Sequence, residues 1–180
     1  MIVGLTGTNG AGKGTVVAYL EGKSFAHYSA RGLILEEVDR RGLPHNRTST
    51  NVVGNDLRKQ YGADYIAKQL LARAKEKGGN VIIESLRTVG EAEYLKSHGA
   101  VVWGVDADRK LRYERALVRG GITDSVTFEE FCVQEDREMN QQEKHDMNVQ
   151  GVLSIADAVF TNNGTQEELF AQVEAALAGK

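Results

Sequence analysis

The stretch GTNGAGKGT, Gly7 to Thr15, stands directly behind the apolar run IVGLT at residues 2–6. No other feature restricts the fold as strongly. An apolar strand that ends in a glycine-rich turn and opens into a helix points several backbone N–H groups at one spot, and the helix dipole adds partial positive charge there. Gly7, Gly10 and Gly12 let the backbone come close to a bound phosphate, and Lys13 adds a movable point charge. The general phosphate-loop pattern is G-x-x-x-x-G-K-[ST]. Here Gly14 follows Lys13, and the hydroxyl arrives one step later on Thr15. Thr8, Asn9, Gly10, Ala11, Gly12, Lys13, Gly14 and Thr15 are therefore the candidate nucleotide-binding residues.

The rest of the chain supplies the sheet that such a loop needs. Strand-like runs at 2–6, 25–29, 80–84, 100–106 and 157–161 alternate with segments of helical apolar spacing. Ile66, Leu70 and Ala74 mark one helix face; Leu111, Ala116 and Val118 mark another. Thr127 with Glu130 and Thr165 with Glu168 have capping-box spacing, and Asp108 is placed to cap its own helix, which Gly120-Gly121 would end. Alternating strands and helices predict an α/β fold, a parallel sheet covered on both faces, with ligands at the carboxyl ends of the strands. Gly7, Ser29, Glu84, Asp106 and Asn162 fall at those ends. The polar stretch 41–62 breaks the alternation and reads as an insertion beside an acceptor pocket, not as a separate domain.

A length of 180 residues fits a single domain, residues 1–180. The net charge of −3 gives no electrostatic reason to expect nucleic acid or a membrane surface as partner. The lone cysteine, Cys132, excludes an internal disulfide and suits a reducing compartment; in FEEFCVQE it reads as a helix packing residue. No apolar run approaches the ~18 residues of a membrane span, and Met1 leads straight into the first strand, so a cytoplasmic location is expected. His27, His45, His98 and His145 lack metal-ligand spacing.

The G-K-G-T order resembles the loop of adenylate kinase and the related nucleoside monophosphate kinases, G-x-P-G-x-G-K-G-T, with Asn9 where that family usually has proline. Further segments follow in family order. HYSARGLILEEVDRRG (27–42) is similar to H-x-S-T-G-D-x-L-R-x-E-V, but Gly32 replaces the Asp and Leu35 replaces an acceptor-binding Arg. IIESLRT (82–88) resembles I-D-G-F-P-R-T; RYERALVRGG (112–121) resembles the helix entering the lid; DAVFTNNGTQEEL (157–169) resembles the segment that receives the adenine edge. LRKQYG (57–62) and LRTVGEAE (86–93) look closer to the small adenylate-kinase-related proteins of archaea.

The resemblance implies a three-layer P-loop nucleotide kinase fold with strand order 2-3-1-4-5, an acceptor-binding insertion over about 30–62 and a short lid over about 119–127. It implies ATP and magnesium as cofactors. Lys13, Arg87, Arg115, Arg119 and Arg137 would act on the transferred phosphoryl group; Ser29, Arg31, Arg58 and Arg87 would hold the acceptor; Asn162, Asn163 and Gly164 would meet the adenine. Thr15 would contact the α-phosphate, and Thr15 and Glu84 would stand by the metal, Glu84 through water. The expected partner is a nucleoside monophosphate, and the expected state is a monomer or homodimer. Two alternatives remain open: a kinase for dephospho-coenzyme A or another small molecule, and an ATP-hydrolysing switch. Ser29-Ala30-Arg31 stands where dephospho-coenzyme A kinases carry D-A-D, so a cation replaces the base that a hydroxyl acceptor needs. The acidic run QEDREMNQQEKHD (134–146) reads as a solvated face.

Overall fold

The computed structural model describes residues 1–120, 126–139 and 146–179. Its strands are β1 (Ile2–Gly7), β2 (Phe25–Ser29), β3 (Asn80–Glu84), β4 (Val101–Asp106) and β5 (Ala158–Thr161). They form one parallel sheet in the order β2-β3-β1-β4-β5. The helices are α1 (Lys13–Glu21), α2 (Ala30–Arg40), α3 (Arg47–Tyr61), α4 (Tyr65–Lys77), α5 (Val89–Ser97), α6 (Arg109–Arg119), α7 (Phe128–Met139), α8 (Val149–Ser154) and α9 (Gln166–Ala178). Of the lid expected over about 119–127, residues 121–125 lie outside the described residues, as does His145.

Side chains alternate across each strand, so every strand feeds two cores. Ile83 and Val102 join Ile66, Leu70, Leu71 and Leu95 under the helices of one face. Ile82 and Trp103 join Val16, Leu20, Phe160 and Leu169 under α1 and α9 on the other. Each large apolar side chain buried this way contributes about 1.5–3 kcal/mol. The polar stretch after residue 41 forms α3, whose Val53 and Leu57 pack into the first core while Val52 stays half exposed.

Register decides where chemistry can occur. Ser29 pairs with Glu84, Gly7 with Val105 and Asp106 with Thr161, so the polar strand ends share one edge. After β3 the chain crosses β1 to build β4 and β5. The glycine-rich loop therefore lies at the point where the winding reverses, the usual crevice of an open parallel sheet.

Two local expectations need correction. Asp108 occupies the N-cap position of α6 but makes no capping bond; its backbone N–H instead donates to Asn163 Oδ1 at 2.8 Å. Val118 faces outward at 90% exposure, because the inward stripe of α6 runs through Arg112 and Ala116 and carries buried ion pairs. Both capping boxes form: Thr127 and Glu130 exchange hydrogen bonds, as do Thr165 and Glu168.

Candidate functional site

The loop after β1 is shaped by contacts that allow no side chain. Gly12 caps α1 in the left-handed conformation at φ 101°, and a Cβ there would lie 2.3 Å from Asn162 Nδ2. Gly10, at φ 77°, leaves room for the carbonyl of Arg112, which a Cβ would meet at 2.2 Å. Gly14 differs: an added Cβ would meet nothing within 4 Å. Thr8 is buried and donates from Oγ1 to Asp106 Oδ1 at 2.7 Å, tying the loop to the end of β4. The N–H of Thr15 donates to the Gly12 carbonyl at 3.0 Å in the first turn of α1.

Lys13 curls over this loop. Its Nζ donates to the carbonyls of Gly7 and Thr8 at 2.9 and 2.7 Å. Burial, and then the neighbouring Arg87 guanidinium, bring its pKa down to about 7. Such an amine gains a full proton when an anion settles beside it.

Facing the loop is a cavity of about 290 Å³ lined by Lys13, Arg31, Arg47, Glu84, Arg87 and Arg119. Glu84 closes β3, and its Oε2 lies 3.4 Å from His27 Nε2. Burial would raise its pKa, but the His27 hydrogen bond, the Lys13 charge and a hydrogen bond from Ser85 outweigh it and hold the carboxyl near about 2. The same bond to Glu84 raises the pKa of His27. Arg87 reaches back to the loop, donating from Nη1 to the Gly7 carbonyl at 3.1 Å. Its backbone is fixed by Glu91, whose Oε2 accepts from the Arg87 and Thr88 N–H groups at 2.7 and 3.2 Å. Arg119 donates to Asn9 Oδ1 at 3.2 Å. Ser29 caps α2 by accepting from the Gly32 N–H at 3.3 Å, which turns Arg31 into the cavity lining.

A family model described as an AAA domain matches residues 3–144 of the chain. A UPF0200 protein of Thermococcus kodakarensis is 30% identical over 97% of this chain and 95% of its own length. The chain belongs to the UPF0200 family. A UPF0200 protein of Methanococcus maripaludis is 28% identical over 96% of this chain and 93% of its own. Among solved structures, TT1252 from Thermus thermophilus superposes with a TM-score of 0.66 at 19% identity, covering 99% of this chain and 97% of that one. A shikimate kinase from Aquifex aeolicus gives 0.58 at 17% identity, covering 99% and 97%. A gluconokinase from Sinorhizobium meliloti gives 0.59 at 14% identity, covering 98% and 90%. This UPF0200 chain thus has the fold of the P-loop kinases.

The site of the UPF0200 chain departs from the sequence expectations at several residues. Arg115 does not line the Lys13 cavity; its Nη1 donates to the Asn162 carbonyl at 2.8 Å, beside the turn after β5. Asn162 is a brace. Its N–H donates to the Asp106 carbonyl at the end of β4 and its Nδ2 to the Ala11 carbonyl in the phosphate loop, both at 2.8 Å. Asn163 Oδ1 is likewise taken up by Asp108, and Gly164 leaves space for Glu168, whose Oε2 a Cβ would meet at 1.7 Å. Arg58 touches the cavity but is almost fully buried, its Nε donating to Glu91 Oε1 at 2.8 Å. Arg137 lines neighbouring cavities and not that of Lys13.

Two ion pairs went unnoticed in the sequence. Arg112 is buried, ion-paired with Glu135, and donates from Nη1 to the Asn9 carbonyl at 3.4 Å. Arg47 and Glu138 form an ion pair between α3 and α7 at the cavity rim. Of the acidic run 134–146, residues 140–145 lie outside the described residues; within α7, Asp136 is exposed, but Glu135 and Glu138 are only 4% and 8% exposed, so they do not belong to a solvated face. The sequence signal for this was that Gln134, Glu135 and Glu138 fall three, four and seven positions after Phe131 and so share its helix face. Cys132 is half buried in α7.

No helix of the described residues is long and apolar enough to cross a membrane. Among the described residues, no group of three or more His, Cys, Asp or Glu side chains is placed to hold a metal.

Proposed function

We propose that this protein transfers the γ-phosphoryl group of ATP to the phosphate of a nucleoside monophosphate, giving a nucleoside diphosphate. The observation that carries this reading is the charge of the cavity. Lys13 stands on its phosphate-loop wall with Arg87 beside it, Arg31 also lines it, and the strand-end carboxyl is held near about 2. A phosphate acceptor has a second pKa near ~6 and is mostly dianionic at neutral pH, so it attacks without a general base. A hydroxyl acceptor would need one, and a carboxylate as acidic as Glu84 is a poor proton acceptor.

Catalysis then consists of alignment and charge neutralisation. The loop N–H groups and Lys13 hold the ATP phosphates. Arg87 and Arg31 orient the acceptor phosphate, and Arg119, anchored on Asn9, stabilises the charge that spreads over the transferred group. Arginine groups of this kind contribute ~10³–10⁵ in rate. Glu84 and Thr15 suit magnesium held chiefly through water, since Glu84 is ionised, ends β3 and shares the cavity with Lys13. Magnesium held there would supply positive charge that offsets the charge of the nucleotide phosphates. The single-domain organisation, a cytoplasmic location and a monomeric or homodimeric state belong to the same reading.

A second reading, a kinase for another small molecule such as dephospho-coenzyme A, draws support from the fold shared with a shikimate kinase and a gluconokinase. The test is ADP release with ATP and a panel of acceptors: nucleoside monophosphates, dephospho-coenzyme A, shikimate, gluconate and none. Release that depends on a monophosphate is the expected result. Release confined to a hydroxyl acceptor would transfer the proposal to the second reading. Release without any acceptor would identify an ATP-hydrolysing switch.

A further inference from the structure

Arg47 opens α3 and lines both the Lys13 cavity and a second one of about 290 Å³ between α3 and α7. A cation at the first position of a helix faces the positive end of the helix dipole, and the first turn of α3 holds no acidic residue to offset it. Its charge is met from another element. Arg47 donates from Nε (3.1 Å) and Nη2 to Glu138 Oε1, and from Nη1 to Gln134 Oε1 at 2.8 Å. The start of α3 is fixed separately, by Asn46, whose Oδ1 accepts from the Ser49 N–H at 2.8 Å. Glu138 in turn stands in a field of cations. Burial pushes its carboxyl up, yet the charges of Arg87 and Arg47, and to a lesser degree that of Lys13, hold it below the ordinary value, so it is ionised.

We infer that Arg47 is a further binding residue for the acceptor phosphate, and that Glu138 competes with that phosphate for it. The inference rests on the proposed acceptor class. Arg87 and Lys13 are the cations which that reading gives to phosphates, and in this structure a carboxylate of α7 is set among them. A phosphate dianion drawn to Arg87 comes up against the Glu138 charge, and like charges in a partly buried site repel strongly. The phosphate carries two charges where the carboxylate carries one, and it has oxygens enough to accept from Arg47 and Arg87 together. Gln134 is neutral, and its bond to Arg47 Nη1 does not depend on Glu138. Arg47 therefore stays aimed at the cavity when the carboxylate turns away.

Glu138→Gln and Arg47→Gln should move acceptor binding in opposite directions. A merely structural ion pair would not do this, because breaking it from either side acts with the same sign. Binding of inorganic phosphate and of AMP, CMP, GMP and UMP to the whole protein is measured by calorimetry, with magnesium and a non-hydrolysable ATP analogue filling the phosphate loop. ADP release from ATP is followed in parallel. Glu138→Gln should tighten the binding of phosphate and of at least one monophosphate about tenfold, and lower the acceptor KM. Arg47→Gln should weaken both about tenfold. If Glu138→Gln disturbs folding, Arg47→Gln is compared with the double variant Arg47→Gln, Glu138→Gln, which should bind more tightly than the single one. Weaker or unchanged binding on loss of the Glu138 charge, unchanged binding on loss of Arg47, or no binding of any probe would overturn the inference. Monophosphate-dependent ADP release with a KM indifferent to both variants would sink the role of Arg47 and leave the phosphotransfer reading intact. Opposite shifts in phosphate binding without acceptor-dependent ADP release would do the reverse.

Discussion

In the phosphate loop, residues a few positions apart hold one another through backbone geometry. Across the cavity, the acceptor wall is assembled from long side chains contributed by remote segments. Lys13 bonds the carbonyls of Gly7 and Thr8, within six positions of itself. Arg58 meets Glu91 across 33 positions, and Arg47 meets Glu138 across 91. The first construction is stiff and tolerates almost no change in its glycines. The second depends on ion pairs whose partners come from different helices, so it can be retuned by single substitutions but loses most when one partner is removed.

Four measurements would break or sharpen this contrast. Lys13→Ala should lower turnover by about 10³ or more while the urea unfolding midpoint stays nearly unchanged, because the cost of burying this amine offsets its bonds to the Gly7 and Thr8 carbonyls. A large stability loss would make Lys13 part of the scaffold. On the acceptor wall the order reverses. Arg58→Ala leaves Glu91 buried without its cation and should cost about 3–5 kcal/mol in chemical denaturation, whatever happens to activity.

Arg87→Ala should reduce kcat/KM for the acceptor by about 10²-fold with little change in ATP affinity. Equal losses for both substrates would mean that its bond to the Gly7 carbonyl, not the acceptor, is its main task. The smallest effect concerns pH. Lys13 titrates near about 7 in the protein alone, and a triphosphate beside it restores the higher pKa, so binding takes up a proton. ATP affinity should therefore fall as pH rises from 7 toward 9, by at most about tenfold per unit. Calorimetry in buffers of different ionisation heat should detect the uptake; its absence would place the amine's proton elsewhere.

Legibility in the sequence follows the same division. The strand ends and the loop were readable because each is encoded by neighbouring residues: apolar runs, glycine joints and a motif with fixed spacing. Arg87 and Glu84 could be placed at the end of β3 for that reason. The sheet order came only with the resemblance to the nucleoside monophosphate kinases. Arg58 could not be separated from a ligand contact, since its partner Glu91 lies on another helix and carries a capping-box signature of its own with Thr88. The turn after β5 carries a structural role that its letters did not reveal. Its polar residues suggested adenine, and the side chains of Asn162 and Asn163 fasten β5 to the phosphate loop and to the start of α6. Burial of charge along α7 had only a weak signal, the shared face of Phe131, Glu135 and Glu138, and the letters alone do not tell whether an acidic helix is partnered by water or by arginines from α3 and α6.

Gly14 offers a practical opening. It sits at the mouth of the helix with empty space where a side chain would project, and the chain holds a single native thiol, Cys132. A Cys132→Ser, Gly14→Cys protein would accept one dye at the rim of the loop, and its fluorescence would report arrival and departure of the nucleotide in real time, turn by turn of the reaction cycle.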